Sequence, residues 1–339
     1  MTATRTLTEF RAPRWLRSGH LQTLSAALPF FARPKDLAEE RLWFELPGNG
    51  GPGDDGGALH ARAFWHEGKT RPVVLLLHGV GGTSDSRSVV RGGRALYAAG
   101  FHVVRLDLRG AGAGLARAPG IYHAGLTEDP RVVVEALAKD PRVSRVTVMG
   151  ISLGGHVTLK LMGELGDAAP HALAAAVSIS APVDIGSTTV EIDRLKNIAY
   201  GSYVLRGLVR QAGDFAAAHP GKTRFAPSIL KKLRKVREYH EHVIVPMHGF
   251  RDAEDYHVSQ SAGPLLGEIA RPTLMIHAKD DPMVPLSTVT PYTRHASARV
   301  ELLVSEGGGH VGWLGGWREE HWVNTWAVDR AIEFLGRYV

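Results

Sequence analysis

A serine at position 152 lies in the pattern G-x-S-x-G, which residues 150–154 spell as Gly-Ile-Ser-Leu-Gly. The pattern stands directly between the strand-like run 145–149 (RVTVM) and a segment, 154–165, with helical spacing. A sharp strand-to-helix turn of this kind exposes the serine hydroxyl above a sheet, where it can attack a carbonyl carbon. We therefore interpret Ser152 as a nucleophile. The alternative is a glycine-rich turn with an idle serine.

A serine nucleophile needs a base, and the base needs an orienting carboxylate. Asp281 follows the strand-like run 273–277, and His310 follows three glycines after the last strand-like run. The chain order Ser152, Asp281, His310 is one in which such triads occur. Asp280 competes with Asp281, which is favoured because it stands four residues before the proline of D-x-x-V-P. Asp280 would then cap the loop or the next helix.

The negative charge that develops on the attacked carbonyl oxygen needs two backbone N–H donors. Leu153 follows the serine at the start of the predicted helix and supplies one candidate. Val80, in the loop His-Gly-Val-Gly-Gly after an early apolar run, supplies the other, and His78 is expected to hold that loop. The alternative for this loop is a plain strand-to-helix turn. Together these groups predict two-step acyl transfer through an acyl-enzyme.

Strand-like and helix-like segments alternate along most of the chain, which predicts a mostly parallel central sheet with helices on both faces. The alternation stops between about 182 and 270, where the pattern is helical and irregular. We predict a helical lid insertion there, between core segments 1–181 and 271–339. The glycine-rich stretch 47–57 is predicted to be a loop between two antiparallel strands. The remaining predicted strands are 72–77, 101–108, 145–149, 172–179, 273–277 and 300–304, and the helices 86–99, 127–139, 154–165 and 321–338.

Composition limits the other chemistries. The 339 residues are 44% hydrophobic and 22% charged, as in ordinary globular proteins, and they include no cysteine. Disulfides, thiolate metal sites and a cysteine nucleophile are therefore excluded. Residues 240–242 read His-Glu-His rather than H-E-x-x-H and are interpreted as a polar helix end. Glycine patterns at 68–70 and 110–114 fail the nucleotide-binding fingerprints, so neither cofactor nor metal is expected.

The formal net charge of +6 is unevenly placed, because residues 206–242 hold nine Lys or Arg against three Asp or Glu. A solvated helical face is one reading of this basic segment, and weak contact with an anionic substrate or membrane surface is the other. No nucleic-acid-binding motif is present. The N-terminal stretch is interrupted by charges, and no apolar run is long enough to span a bilayer. A cytoplasmic protein is expected.

The sequence also resembles the YheT-like family of α/β-hydrolases. The most specific elements are His-Leu-Gln-Thr at 20–23 and Ile-Tyr-His-Ala-Gly at 121–125. The loop at 78–82 and the serine, acid and histidine motifs match as well, whereas residues 237–242 follow the family pattern only loosely. The resemblance implies an α/β-hydrolase fold and a carboxylic-ester hydrolase. Eukaryotic relatives act on medium-chain acyl esters and phospholipids, so short- to medium-chain acyl esters or lipids are expected as substrates. It leaves open whether His20, Gln22 and His123 pack against the core or line the pocket.

Three functions are compatible with these residues. The first is a carboxylesterase that uses Ser152, Asp281 and His310. The second is an acyltransferase on the same triad, in which an alcohol replaces water in the second step. The third is a non-catalytic binding module on a retired scaffold, which the intact triad argues against.

Overall fold

The computed structural model describes residues 10–26, 37–48, 56–318, 321–323 and 326–339. Within these residues, ten strands form one sheet of eight strands and one of two. The strands are β1 (Glu40–Glu45), β2 (Ala58–Phe64), β3 (Arg71–Leu77), β4 (His102–Leu106), β5 (Val143–Ile151), β6 (Leu173–Ile179), β7 (Thr273–Ala278), β8 (Val300–Ser305), β9 (Gly316–Arg318) and β10 (His321–Val323).

The large sheet has the strand order β1-β2-β4-β3-β5-β6-β7-β8. Strands β3 to β8 are parallel, whereas β1 pairs antiparallel with β2 and β2 pairs antiparallel with β4. The carboxyl ends of the parallel strands therefore meet along one edge, which is where ligands bind in sheets of this kind. The predicted hairpin of β1 and β2 is confirmed, and most of the loop predicted between them lies outside the described residues.

Helices cover the sheet and fill the gap between β6 and β7. They are α1 (Gly19–Ala26), α2 (Arg87–Ala98), α3 (Glu128–Leu137), α4 (Leu153–Leu165), α5 (Ile185–Ile192), α6 (Ile198–Ala218), α7 (Val236–Tyr239), α8 (Val245–His248), α9 (Ala253–Gln260), α10 (Thr290–Thr293) and α11 (Trp326–Leu335). A π-helical turn, His240–Ile244, joins α7 to α8. In the part of the chain that the structure describes, no helix is long and apolar enough to cross a membrane.

The alternation of side chains along the strands divides the core into two layers. Val73, Leu75 and Leu77 of β3 pack in the layer that includes α3, α4 and the helices of the insertion. Val74 and Leu76 pack in the opposite layer with α2 and α11. A strand buried on both faces reads as a continuous apolar run, so the run 72–77 is explained by this position. The predicted mostly parallel central sheet with helices on both faces is confirmed, and the helical insertion lies between β6 and β7.

The prediction for the last helix was wrong at its start. Helix α11 begins at Trp326, and residues His321–Val323 form strand β10 instead, which pairs antiparallel with β9. Three residues are too few to show either a strand or a helix period, and their apolar side chains fitted the helical pattern of the following segment equally well.

Candidate active site

Ser152 lies in the tight turn between β5 and α4. Its backbone adopts φ 55° and ψ −118°, a region that costs a non-glycine residue about 1–3 kcal/mol. A Cβ atom on Gly150 would lie 2.0 Å from the Gly154 carbonyl oxygen, so the turn can close only around a glycine at position 150. The local sequence thus folds into the strained strand-to-helix turn that it predicts, with the serine at its apex.

The structure brings Ser152, His310 and Asp281 together at the carboxyl ends of β5, β7 and β8. The Ser152 hydroxyl donates to His310 Nε2 at 2.9 Å, and His310 Nδ1 donates to Asp281 Oδ2 at 2.9 Å. Asp281 Oδ1 accepts from the amides of Met283 and Val284, both at 2.9 Å. The chain of hydrogen bonds runs from carboxylate to hydroxyl through residues separated by 29 and 158 positions.

The electrostatics favour an ionised Asp281. Burial acts to raise the pKa of this carboxyl, but the charge interaction and hydrogen bond with His310, the nearby His277 and the Val284 amide outweigh it, so the net pKa is lowered. Burial lowers the pKa of His277, whose Nε2 donates to the Val284 carbonyl at 2.8 Å. At neutral pH the site therefore holds a carboxylate directly behind the imidazole of His310.

Asp280 points away from the imidazole. Its Oδ1 accepts from the amide of Gly309 at 2.8 Å, one residue before His310. The two neighbouring carboxyl groups thus take different positions, with Asp281 against the side chain of His310 and Asp280 against the backbone that carries it. Of the alternatives left open by the sequence, loop capping describes Asp280.

Both predicted backbone donors lie beside the serine. Leu153 is the first residue of α4, so its N–H has no acceptor within the helix, and both Leu153 and Val80 line the cavity above Ser152. A Cβ on Gly79 would lie 3.3 Å from Ser152 Cβ, which places the Val80 loop directly against the serine. His78 holds this loop as predicted, since it donates to the Gly79 carbonyl at 2.7 Å and accepts from Leu108 N at 3.1 Å.

Two side chains to which the sequence assigned no role, Tyr122 and Gln211, also hold the Val80 loop. The amide of Gly81 donates to the hydroxyl of Tyr122 at 2.8 Å, and that hydroxyl donates to Gln211 Oε1 at 2.6 Å. Gln211 Nε2 in turn donates to the carbonyl of Gly82 at 3.1 Å. Because Gln211 belongs to α6 of the insertion, the insertion is tied to the same loop that presents Val80.

A cavity opens above Ser152 between the sheet edge and the helices of the insertion. Its wall is mainly apolar and includes residues of α5, α6, α7 and the loop after β7 that carries Asp281. The lining includes Val80, Tyr122, His123, Ser152, Leu153, Pro182, Ile185, Thr188, Ile192, Val204, Leu208, Val236, Tyr239, His240, Ile244, Tyr256, Met283, Val284 and His310. This composition is typical of a pocket that binds an apolar ligand and orients it with a few polar groups.

The interpretation of residues 240–242 as a polar helix end was wrong for His240. This side chain is buried, lines the cavity and shares a hydrogen bond of 2.9 Å with His257. Burial lowers its pKa to about 3, and burial lowers the pKa of the neighbouring His248 to about 4. Only His242 of the tripeptide is exposed. Among the described residues, no three His, Asp or Glu side chains converge as a metal site would require.

The sequence left open whether His20, Gln22 and His123 pack against the core or line the pocket, and the structure gives different answers for them. His123 lines the cavity. His20 shares a hydrogen bond of 2.8 Å with the Tyr200 hydroxyl and so joins α1 to α6. Gln22 is fully buried and bonds to Leu314 in the loop that follows His310. The N-terminal motif therefore packs against the core and the insertion, and of these three residues only His123 lines the cavity.

Comparisons with known proteins place these features in a family. The family model described as alpha/beta hydrolase fold matches residues 72–315. Escherichia coli YheT, provisionally named an esterase, is 31% identical over 98% of this chain and 94% of its own. A Saccharomyces cerevisiae monoacylglycerol lipase is 29% identical over 78% of this chain, which spans 59% of the lipase. An esterase structure from Pyrococcus furiosus superposes with a TM-score of 0.57 at 17% identity, over 89% and 93% of the two chains.

Proposed function

The chain belongs to the YheT-like family of α/β-hydrolases, and on that premise we propose that it is a serine hydrolase of carboxylic esters with Ser152 as nucleophile. One observation carries the proposal above all others, namely the hydrogen bond of 2.9 Å between Ser152 Oγ and His310 Nε2. A nucleophile and base within hydrogen-bond reach, with the base oriented by a third group, are the signature of covalent catalysis. Asp281 is that third group.

In the first step His310 Nε2 removes the hydroxyl proton as Ser152 Oγ attacks the ester carbonyl carbon. The tetrahedral intermediate collapses when His310 returns the proton to the leaving alkoxide, which departs as an alcohol and leaves an acyl-enzyme. A water molecule then attacks the acyl carbon and loses a proton to His310. The second tetrahedral intermediate breaks its bond to Ser152 Oγ, which regains that proton from His310, and the carboxylic acid is released. Asp281 holds the Nδ1–H tautomer and stabilises the imidazolium that forms twice in each turnover.

The negative oxygen of each tetrahedral intermediate is assigned to the amides of Val80 and Leu153. Donors that are fixed before the reaction stabilise developing charge without reorganisation, and removing one such donor typically costs about 2.7–4 kcal/mol. The strained turn fixes Leu153 beside the nucleophile. Val80 is fixed through Gly81, whose amide bonds to Tyr122.

The substrate class follows from the wall of the cavity. Residues 182–270 act as a cap whose apolar side chains receive the acyl chain, because burial of each methylene stabilises binding by about 0.8 kcal/mol. Ile192, Val204 and Leu208 supply this surface. The yeast relative is named for monoacylglycerols, which are acyl esters of glycerol, and this name supports acyl esters or lipids as substrates. Within that class we propose short- to medium-chain acyl groups.

The test is hydrolysis of p-nitrophenyl esters of increasing chain length by wild type, with Ser152→Ala as the blank. We expect the variant to lose roughly 10⁴-fold or more in kcat while it keeps its fold, because residual catalysis then rests on binding and the amide donors alone. Circular dichroism controls for folding. Equal hydrolysis by both proteins would contradict the proposal. Product analysis with added alcohol distinguishes hydrolysis from acyl transfer.

A further inference from the structure

The backbone of His310 is held by a residue far away in sequence. The His310 amide donates to Thr23 Oγ1 of α1 at 2.8 Å, and the same hydroxyl donates to the Gly19 carbonyl at 2.7 Å. A threonine hydroxyl has one proton to donate and lone pairs to accept. With its proton committed to Gly19, the Thr23 oxygen presents a lone pair to His310 in one fixed orientation.

Gln22, the neighbouring residue, holds the loop on the other side of His310. Its Nε2 donates to the carbonyls of Leu16 at 3.0 Å and Leu314 at 3.1 Å, and its Oε1 accepts from Leu314 N at 2.7 Å. The side chain is 0% exposed. A buried carboxamide with all these partners pairs with the Leu314 backbone much as an adjacent strand would.

The glycines of the loop let α1 approach this closely. A Cβ on Gly309 would lie 2.3 Å from the Gly19 carbonyl oxygen, and a Cβ on Gly312 would lie 2.7 Å from the Gln22 carbonyl oxygen. Two stretches of backbone, immediately before and soon after His310, therefore lie against α1 with no room for a side chain between them.

Between these two anchor points the loop is strained. Val311 and Trp313 adopt φ 62° and φ 47°, left-handed conformations that disfavour non-glycine residues. Such conformations cost about 1–3 kcal/mol each and persist only where the surrounding structure enforces them. The bonds from Thr23 to residue 310 and from Gln22 to residue 314 bracket both strained positions.

From these contacts, and resting on the proposed function, we infer that Gln22 and Thr23 are positioning residues that hold the strained loop so that His310 reaches Ser152. Neither side chain lines the cavity. Their effect on the reaction is therefore exerted through the backbone of the base. The inference gives the Gln-Thr pair of the N-terminal motif a role in the chemistry rather than in packing alone.

The test compares Thr23→Val, Thr23→Ser and Gln22→Met with the control Ser25→Ala. Ser25 is a buried residue of the same helix whose hydroxyl donates to the Gln22 carbonyl, and among the described residues its side chain makes no hydrogen bond to the histidine loop. We expect Thr23→Val and Gln22→Met to lower kcat about 10- to 100-fold, as misplacement of a catalytic group by about 1 Å does. KM should change less than about twofold, since substrate binding is untouched.

Rescue by the conservative variant separates positioning from mere stability. Thr23→Ser keeps the accepting oxygen and should retain kcat within about threefold of wild type. Reaction with a fluorophosphonate probe should slow in parallel with kcat, whereas Ser25→Ala should match wild type in both. If Thr23→Val does not fold, Thr23→Ala, which leaves room for a water to accept the His310 N–H bond, takes its place.

Two outcomes would overturn the inference. One is an active wild type whose kcat is equalled by both Thr23→Val and Gln22→Met. The other is an equal loss in Ser25→Ala and Thr23→Val, which would indicate general damage to α1. A wild type that neither hydrolyses esters nor reacts with the probe contradicts the proposed function instead, so the two failures are distinguishable.

Discussion

The triad at the sheet edge and the helical insertion meet at one cavity, yet their buried polar groups differ in hydrogen bonding. At the edge, both ring nitrogens of His310 and both oxygens of Asp281 have partners. In the insertion, Thr188 Oγ1 and His257 Nδ1 are buried without a hydrogen-bond partner among the described residues. Apolar side chains dominate the rest of the insertion's surface toward the cavity.

This difference indicates that the two regions have separate functions, acyl transfer at the sheet edge and selection of the acyl chain in the insertion. Acyl transfer needs a few atoms held at fixed distances, and fully satisfied buried networks provide that rigidity. Selection of an acyl chain needs an apolar wall of suitable shape, which tolerates substitution better. Changes at the sheet edge should therefore abolish the reaction, whereas changes in the insertion should alter which substrate is preferred and how stable the protein is.

The largest difference in kcat should be the one between variants of the two adjacent carboxyl groups, Asp281 and Asp280. Asp281→Asn should lower kcat by about 10³- to 10⁴-fold, because an amide favours the wrong tautomer of the histidine. Asp280→Asn should cost about tenfold or less, since its side-chain oxygen can still accept from Gly309 N. Steady-state kinetics on one p-nitrophenyl ester measures both. A larger loss for Asp280→Asn would reverse the assignment of the triad acid.

The buried histidines of the insertion should make stability depend on pH. The pKa of His240 falls from 6.5 in the unfolded chain to about 3 in the folded protein. Below pH 6.5 His240 therefore binds a proton in the unfolded chain but stays neutral in the folded protein. The free energy of unfolding consequently decreases as the pH falls. At pH 5 this single group should cost about 2 kcal/mol relative to pH 7.

Urea unfolding at the two pH values tests this with His240→Gln and His242→Gln. The first variant should lose less stability between pH 7 and pH 5 than wild type does. The second removes an exposed histidine of the same segment and should behave as wild type. Identical pH dependence in all three proteins would show that His240 is not held neutral by burial.

Narrowing the cavity should change chain-length preference before it changes the chemistry. Leu208→Trp adds bulk to the cavity wall contributed by α6 and should lower kcat/KM for an octanoate ester about tenfold more than for an acetate ester. Tyr203→Trp changes an exposed position on the same helix and serves as the control. Equal losses on both esters would place the acyl chain elsewhere.

The smallest effect concerns the basic segment 206–242, for which we retain membrane-surface contact as a proposal. Arg206, Lys231, Lys232 and Lys235 are exposed. Activity on anionic lipid vesicles should fall roughly threefold between about 0.05 and 0.5 M salt, because screening shortens the range of surface charges. Activity on a soluble acetate ester is the control and should not change. Salt-insensitive vesicle activity would leave the charge as a solvated face.

The sequence alone was sufficient to predict those parts of the site that depend on residues close together in the chain. The serine turn needs a strand, a helix and glycine at position 150, and all of them lie within a short segment. The spacing to the proline also separated Asp281 from Asp280, and the two carboxyl groups do lie on different partners. These features could be predicted because each is dictated by neighbours in the chain.

Apart from the contacts within the triad, whose members recognisable motifs mark, contacts between distant segments could not be predicted. Tyr122 and Gln211 are 89 residues apart, and no local pattern marks their hydrogen bond or its link to the Val80 loop. His240 looked polar because its neighbours Glu241 and His242 are polar. It is buried in the π-helical turn, where it contacts Tyr256 and His257 of α9. The roles of such residues depend on which elements the folded chain brings together.

The central claim is that the hydroxyl of Ser152, activated by His310, forms the covalent bond. Treatment with a fluorophosphonate probe followed by peptide mass spectrometry tests it most directly. We predict one adduct per chain, on Ser152, with no adduct in Ser152→Ala and labelling of His310→Ala slowed about 10³-fold or more. An adduct on another residue, or equal labelling of the Ser152→Ala protein, would contradict the account.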